Sequence, residues 1–118
     1  MPRFVILEHD HPVLHWDLML ERDEVLRTWR LAEPPAGTAA VAAELLFDHR
    51  LVYLDYEGPV SGNRGVVRRW DSGTYSLLDE TDGLTLRLDG ERLSGVFTLR
   101  QTGQTGWTFQ KSFSEPPA

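Results

Sequence analysis

Apolar and polar positions alternate with a period of two along most of the chain, and the 3.6-residue spacing of an amphipathic helix is nearly absent. Residues 4–7 form a short β-rich run. Over residues 16–21, Trp16, Leu18 and Leu20 share one face and Asp17, Met19 and Glu21 the other, so a strand can bury the first set while Asp17 looks the opposite way. Arg22-Asp23-Glu24 reads as a turn, with residues 25–31 returning as the second strand of a hairpin. Pro34-Pro35 and Gly37 then interrupt regular structure. The alanine-rich stretch 38–47 fits a short helix or a strand, and its β-rich surroundings favour the strand. Residues 51–56 fit a helical turn before Gly58-Pro59, and 61–65 a flexible loop. Further strands are expected at 66–70, 74–78, 84–88, 93–99 and 107–113, with Asp89-Gly90 as a tight-turn signal.

Short strands at this spacing predict an all-β fold, a small single-domain antiparallel β-barrel, closed or nearly closed, with at most short helical turns. Closure suits a chain of 118 residues, which has room for one core and gains by hiding its sheet edges. The expected domain is 1–113, with 114–118 a disordered tail. No apolar run approaches the roughly 20 residues that span a bilayer, so no membrane partner is expected. The N-terminus lacks the apolar region of a secretory signal, which makes a cytoplasmic location the default.

Net charge refines this picture. The total of -6 argues against a simple basic sleeve for nucleic acid. Residues 1–59 hold five Arg and eleven Asp or Glu, while residues 60–118 are balanced at seven of each sign, so the deficit lies entirely in the first half. All four histidines, His9, His11, His15 and His49, lie in that half among the carboxylates, a composition suited to metal binding. With no cysteine present, disulfides, thiolate catalysis and thiolate metal sites are excluded.

Two clusters carry candidate chemistry. In the first, Glu8-His9-Asp10-His11-Pro12-Val13-Leu14-His15-Trp16-Asp17, His15 and Asp17 are two apart on a strand and point to one side. His9, at the end of the preceding strand, can swing over that side. Two imidazoles and one carboxylate would leave coordination positions open for water and substrate, suiting manganese, iron or zinc. His11 reads as an exposed loop residue. An equally simple reading leaves His9 and His11 solvated and His15 hydrogen-bonded beside Trp16. In the second cluster, Asp48-His49-Arg50-Leu51-Val52-Tyr53-Leu54-Asp55-Tyr56-Glu57-Gly58, one helical turn would bring His49 and Tyr53 to the same side, as proton donors or phosphate contacts. Half-buried tyrosines with His49 capping the turn would explain the same pattern.

Together the two clusters and the later Trp70-Asp71-Ser72-Gly73-Thr74 resemble the 3′-phosphoesterase domain found at the N-terminus of bacterial DNA ligase D and as free-standing proteins. The resemblance runs over roughly residues 3–112. It implies a small β-barrel with a divalent cation, typically Mn2+, that trims 3′ ends of DNA or DNA/RNA during break repair by non-homologous end joining. Such a domain removes a 3′-terminal ribonucleoside and then the 3′-phosphate, alongside a repair ligase and polymerase. On this likeness His9, His15 and Asp17 take the metal-ligand places, and His49 and Tyr53 those of the phosphate-contacting, catalytic pair.

The chain departs from the family pattern at three cations: Met19 stands where an Arg is usual, Glu33 where a Lys is usual, and Val41 eight residues before His49 where another Arg is expected. Arg30 and Arg64, with Arg68 as a further candidate, are the cations that could take over phosphate binding. The alternative is a divergent member that keeps the metal site and serves as a binding module or acts on another phosphate-bearing substrate. A cupin-like metal barrel acting on a small organic acid would use the first cluster and leave the second unexplained.

Overall fold

The computed structural model describes residues 1–112. Nine strands are present: β1 (Arg3–His9), β2 (His15–Arg22), β3 (Val25–Leu31), β4 (Val41–Leu45), β5 (Gly58–Pro59), β6 (Val66–Asp79), β7 (Leu84–Gly90), β8 (Ser94–Gln101) and β9 (Gly106–Lys111). A 3-10 turn, Leu51–Leu54, lies between β4 and β5 and is the one helical element among the described residues. All pairings are antiparallel in the order β1-β2-β3-β4-β9-β8-β7-β6, and β6 pairs back onto β1, so eight strands close a barrel with β5 outside on β6. The closed all-β barrel read from the alternation is therefore the fold.

Alternation fills the barrel. Phe4, Ile6, Trp16, Leu18, Leu20, Trp29 and Leu31 point inward with Leu86, Leu99 and Phe109. Trp29 meets Trp107 edge to face at 5.6 Å, and Phe97 stacks on Phe109 at 5.2 Å. The opposite faces of β1, β2, β3 and the start of β6 carry a second apolar set, Val5, Leu7, Met19, Leu26 and Val67, covered from outside by Leu54 of the 3-10 turn. This cover changes the expectation for β2. Asp17 does face away from the barrel core, yet it is buried, because the chain from 46 to 65 crosses over that wall. An ion pair fastens the cover to β1: Arg3 Nη2 donates to Asp55 Oδ1 at 2.7 Å, and the guanidinium holds the Asp55 carboxyl below its ordinary range.

Several local expectations change. The predicted strands 66–70 and 74–78 are one strand, β6, whose first half pairs with β1 and whose second half pairs with β7. Trp70 is the extra residue of a bulge at the crossover, since Ile6 faces Asp71 and Leu7 faces Arg69. Gly73 lets the strand pass through there, because a Cβ would collide with the Asp89 carbonyl. Asp89-Gly90 is not the turn but the end of β7. The turn falls at Glu91 and Arg92, because the Asp71 carboxylate accepts the backbone N–H groups of Glu91, Arg92 and Leu93 at 2.8–3.0 Å. The strand expected over 38–47 is confined to β4, and the strand expected to run to 113 ends at Lys111. The tail assigned to 114–118 lies outside the described residues. Asp23 and Glu24 form the two-residue hairpin turn between β2 and β3, both with left-handed backbone (φ 53° and 68°), as this hairpin geometry requires. Among the described residues, no helix is long and apolar enough to cross a membrane.

Candidate metal centre

The site lies on the outer wall of the barrel, where β1, β2 and β3 run side by side under the cover. Strand register assembles it. His9 and His15 are directly opposed across β1 and β2, Asp17 follows His15 on the same face, and Arg30 of β3 is opposed to Asp17. Candidate ligand atoms of His9, His15 and Asp17 all lie within 4.8 Å of one another. The two deep ligands are already close, with His15 Nε2 3.3 Å from Asp17 Oδ2, so closing the set onto one ion falls to His9, which is partly exposed.

Backbone carbonyls orient both rings. His15 Nδ1–H donates to the Val13 carbonyl at 2.7 Å, which leaves Nε2 of the neutral ring as an acceptor aimed at Asp17. His9 Nε2–H donates to the Arg64 carbonyl at 2.7 Å, leaving Nδ1 free. His15 and Asp17 are each only 4% exposed, and His15 Nε2 and Asp17 Oδ1 have no hydrogen-bond partner. A buried imidazole nitrogen and a buried carboxylate oxygen without hydrogen-bond partners are costly unless a cation stands beside them. The donor set, two imidazoles and a carboxylate, also suits a divalent metal with positions left open. The residues therefore fit the cation that the sequence implied.

A cleft of about 210 Å3 opens from this group. His9, Asp17, Arg30, His49, Tyr53 and Arg64 all line it, with His15 beneath them, so of the site residues singled out from sequence only Arg68 stays outside this cavity. His49 gets there differently from expected. It precedes the 3-10 turn and is held extended by a reciprocal backbone bridge to Leu26, with both N–H···O contacts at 2.8 Å. Its ring still meets that of Tyr53 edge to face, 5.9 Å between centroids. Arg30 Nε lies 3.8 Å from Asp17 Oδ1, half-exposed, and this side chain also borders an apolar groove floored by Ala42 and Ala43. The Arg64 guanidinium turns back to Ser61, donating from Nε to its carbonyl at 2.7 Å, while the Arg64 carbonyl steadies His9. Arg68 is exposed and does not line this cleft.

The missing cations also find places. Met19 is buried in the cleft wall, and Glu33 is exposed. Val41 points into the barrel core, so no side chain at that position can reach the cleft side of β4. The outward positions there are Ala42 and Glu44, and neither is cationic. His11, read as merely exposed, is exposed and also lines the cleft, 6.5 Å from the His9 ring. Phe47 lines it too and was not anticipated, although it stands two residues before His49. Gly65 brings the 61–65 loop against the 10–11 loop. Its φ is 79°, and a Cβ would collide with the Asp10 carboxylate and lie 2.6 Å from the His11 Cβ.

Comparison with known proteins bears on this geometry. The pattern that describes the DNA Ligase D 3′-phosphoesterase domain matches residues 7–101. The "Multifunctional non-homologous end joining protein LigD" of Pseudomonas aeruginosa is 36% identical over 115 residues, covering 88% of this chain and 14% of that protein. The protein of the same name from Mycobacterium bovis is 37% identical over 117 residues, covering 88% and 15%, and that from Mycolicibacterium smegmatis is 34% identical over 125 residues, covering 89% and 16%. The chain thus spans a small part of the length of these relatives.

Proposed function

From the premise that this chain belongs to the DNA ligase D 3′-phosphoesterase domain family, we propose that it is a divalent-metal-dependent phosphoesterase that processes 3′ ends of DNA or DNA/RNA in break repair by end joining. The observation that carries this reading is the buried His15–Asp17 pair with unpartnered acceptor atoms, joined by His9 at the floor of an open cleft. His9, His15 and Asp17 would hold the cation, most suitably Mn2+, and such a cation supplies charge stabilisation at a phosphoryl oxygen.

The remaining work falls to side chains of this chain. Tyr53 O–H and the His49 imidazole face the cleft from the cover and serve as hydrogen-bond donors to the phosphate, with His49 placed to give a proton to the leaving oxygen. His49 Nδ1–H donates to the Phe47 carbonyl at 3.0 Å, so Nε2 is the atom left for substrate, and it donates there in the imidazolium form, which carries hydrogens on both nitrogens. Arg30 supplies positive charge beside Asp17. The cover restricts access from one side and leaves the rim by His11 and Arg64 in water.

A primer-template with a 3′-phosphate, or with a single 3′-ribonucleotide, tests this across a panel of divalent metals. Metal-dependent release of phosphate and nucleoside is expected, and His15→Ala should abolish it. Absence of release by folded wild-type protein with every metal overturns the reading.

Met19, Glu33 and the outward Ala42 and Glu44 favour a second reading, in which the metal centre persists and nucleic-acid turnover does not. Near-stoichiometric metal binding without turnover on any 3′ end distinguishes it.

A further inference from the structure

Phe47 is 76% exposed and is the one aromatic among the large exposed hydrophobic side chains of the described residues. A lone exposed apolar residue needs no explanation, but the placement of this one is unusual. Its ring lies parallel to the His49 imidazole, 4.9 Å between centroids and 5° between planes. The same two residues are tied by the hydrogen bond from His49 Nδ1–H to the Phe47 carbonyl, and His49 is clamped to β3 by its bridge to Leu26. Phe47 is therefore a rigid flat surface at the mouth of the metal cleft, backed by one ring and otherwise in water.

We infer that Phe47 is a stacking platform for the unpaired nucleobase of the 3′-terminal nucleotide, an assignment that rests on the phosphoesterase reading of the same cleft. Every nucleobase presents a π-face, so an aromatic ring binds it without reading sequence. The charge of the wall makes such a contact necessary. Arg64 is turned toward Ser61, Met19 is apolar, and Arg30 lies beside Asp17 and, in strand register, Glu44. A cleft with so few cations gains little from counterion release, and base contact is the other source of affinity for a strand end. Phe47 would then set affinity for the terminal nucleotide and not the rate of the phosphoryl step.

The test uses 3′-phosphorylated primer-templates whose last primer residue, left unpaired, is either 2-aminopurine or abasic, with Mn2+ present and binding read before phosphate release. Wild-type protein should quench 2-aminopurine fluorescence and bind that strand at least about 10-fold more tightly than the abasic one. Phe47→Ala should lose the preference and raise KM with kcat little changed, and Phe47→Trp should keep it. Equal binding of the two strands by wild type, no binding of either, or an unchanged preference in Phe47→Ala overturns the platform, and the last result would leave Phe47 to a protein partner. Metal-dependent phosphate release that survives any of these results leaves the phosphoesterase reading intact. Conversely, a Phe47-dependent preference without release under any metal removes that reading and keeps the platform.

Discussion

Replacing Asp17 by Asn separates what the metal centre costs the fold from what it does. In the metal-free protein, His15 Nε2 lies 3.3 Å from Asp17 Oδ2, acceptor against acceptor when the ring is neutral, with both residues buried. Asp17→Asn can turn an N–H donor to His15 and removes a buried charge that has an unpartnered oxygen. Relieving one buried unsatisfied group is worth about 1–3 kcal/mol. For 118 residues, an unfolding entropy near 0.25 kcal/mol/K makes this a rise of about 4–12 °C in the metal-free Tm. In wild type, Mn2+ at 100 times its Kd should add about 2.7 kcal/mol, or about 11 °C. Asp17→Asn should show almost none of that increment, because one of three ligands has lost its charge. Differential scanning calorimetry at pH 8, chosen to limit proton competition for the ligands, with and without Mn2+, measures both changes on the same two proteins. A metal-free Tm that falls by several degrees in Asp17→Asn, with an undiminished Mn2+ increment, would refute the picture of a strained, cation-seeking pair.

Arg30→Ala should lower kcat/KM for a 3′-phosphorylated end by about 10²–10³, the loss expected for a single charge-assisted contact to a reacting phosphate, with Mn2+ affinity retained by isothermal titration. A loss of less than about threefold, against that scale, would show that Arg30 does not reach the substrate. Acid should loosen the cover first. Asp55, which fastens the cover, and Glu80, which ties β2 to the end of β6, have depressed carboxyl pKa values because Arg3 and Arg22 donate hydrogen bonds to them, so each contributes stability that is complete above the ordinary carboxylate range and is lost as pH falls through the lowered folded value. Both pairs are exposed and each contribution is small. Amide exchange in 50–60 should accelerate as pH is lowered from 5 toward 3, after correction for intrinsic rates. Arg3→Gln should show that acceleration already at pH 6.

The barrel was legible because strand alternation is a property of neighbouring residues. Phe4, Ile6, Leu18, Leu20 and Trp29 could be placed inside by parity alone. The continuity of β6 was not legible, since it depends on a strand changing partners at Trp70 and on the close approach of Gly73 to β7, both relations with distant chain. Parity likewise placed His15 with Asp17, the end of the preceding strand placed His9 over them, and the family likeness set His49 and Tyr53 beside them. Carbonyl contacts from Val13 and Arg64 to the two histidines left no trace in the sequence, because any residue supplies a carbonyl. The inward direction of Val41 was not legible by counting from His49, because residues 46–48 are not a strand and carry no parity. Asp17 was taken to face away from the core, but its burial depended on a cover that only the fold provides.

A closed barrel with its reactive group on the convex side differs from one that holds its ligand in the bore. A bore admits only what fits its diameter and must breathe to let a guest in and out. On this wall, under the function proposed above, the long axis of a guest can lie in open water while one terminus enters the cleft over His9 and Asp17. Such a reach would be indifferent to polymer length, and the strands would not need to part. Selection among substrates falls to the short crossing segment and its rim, which can change residue by residue while the eight-strand scaffold keeps its packing.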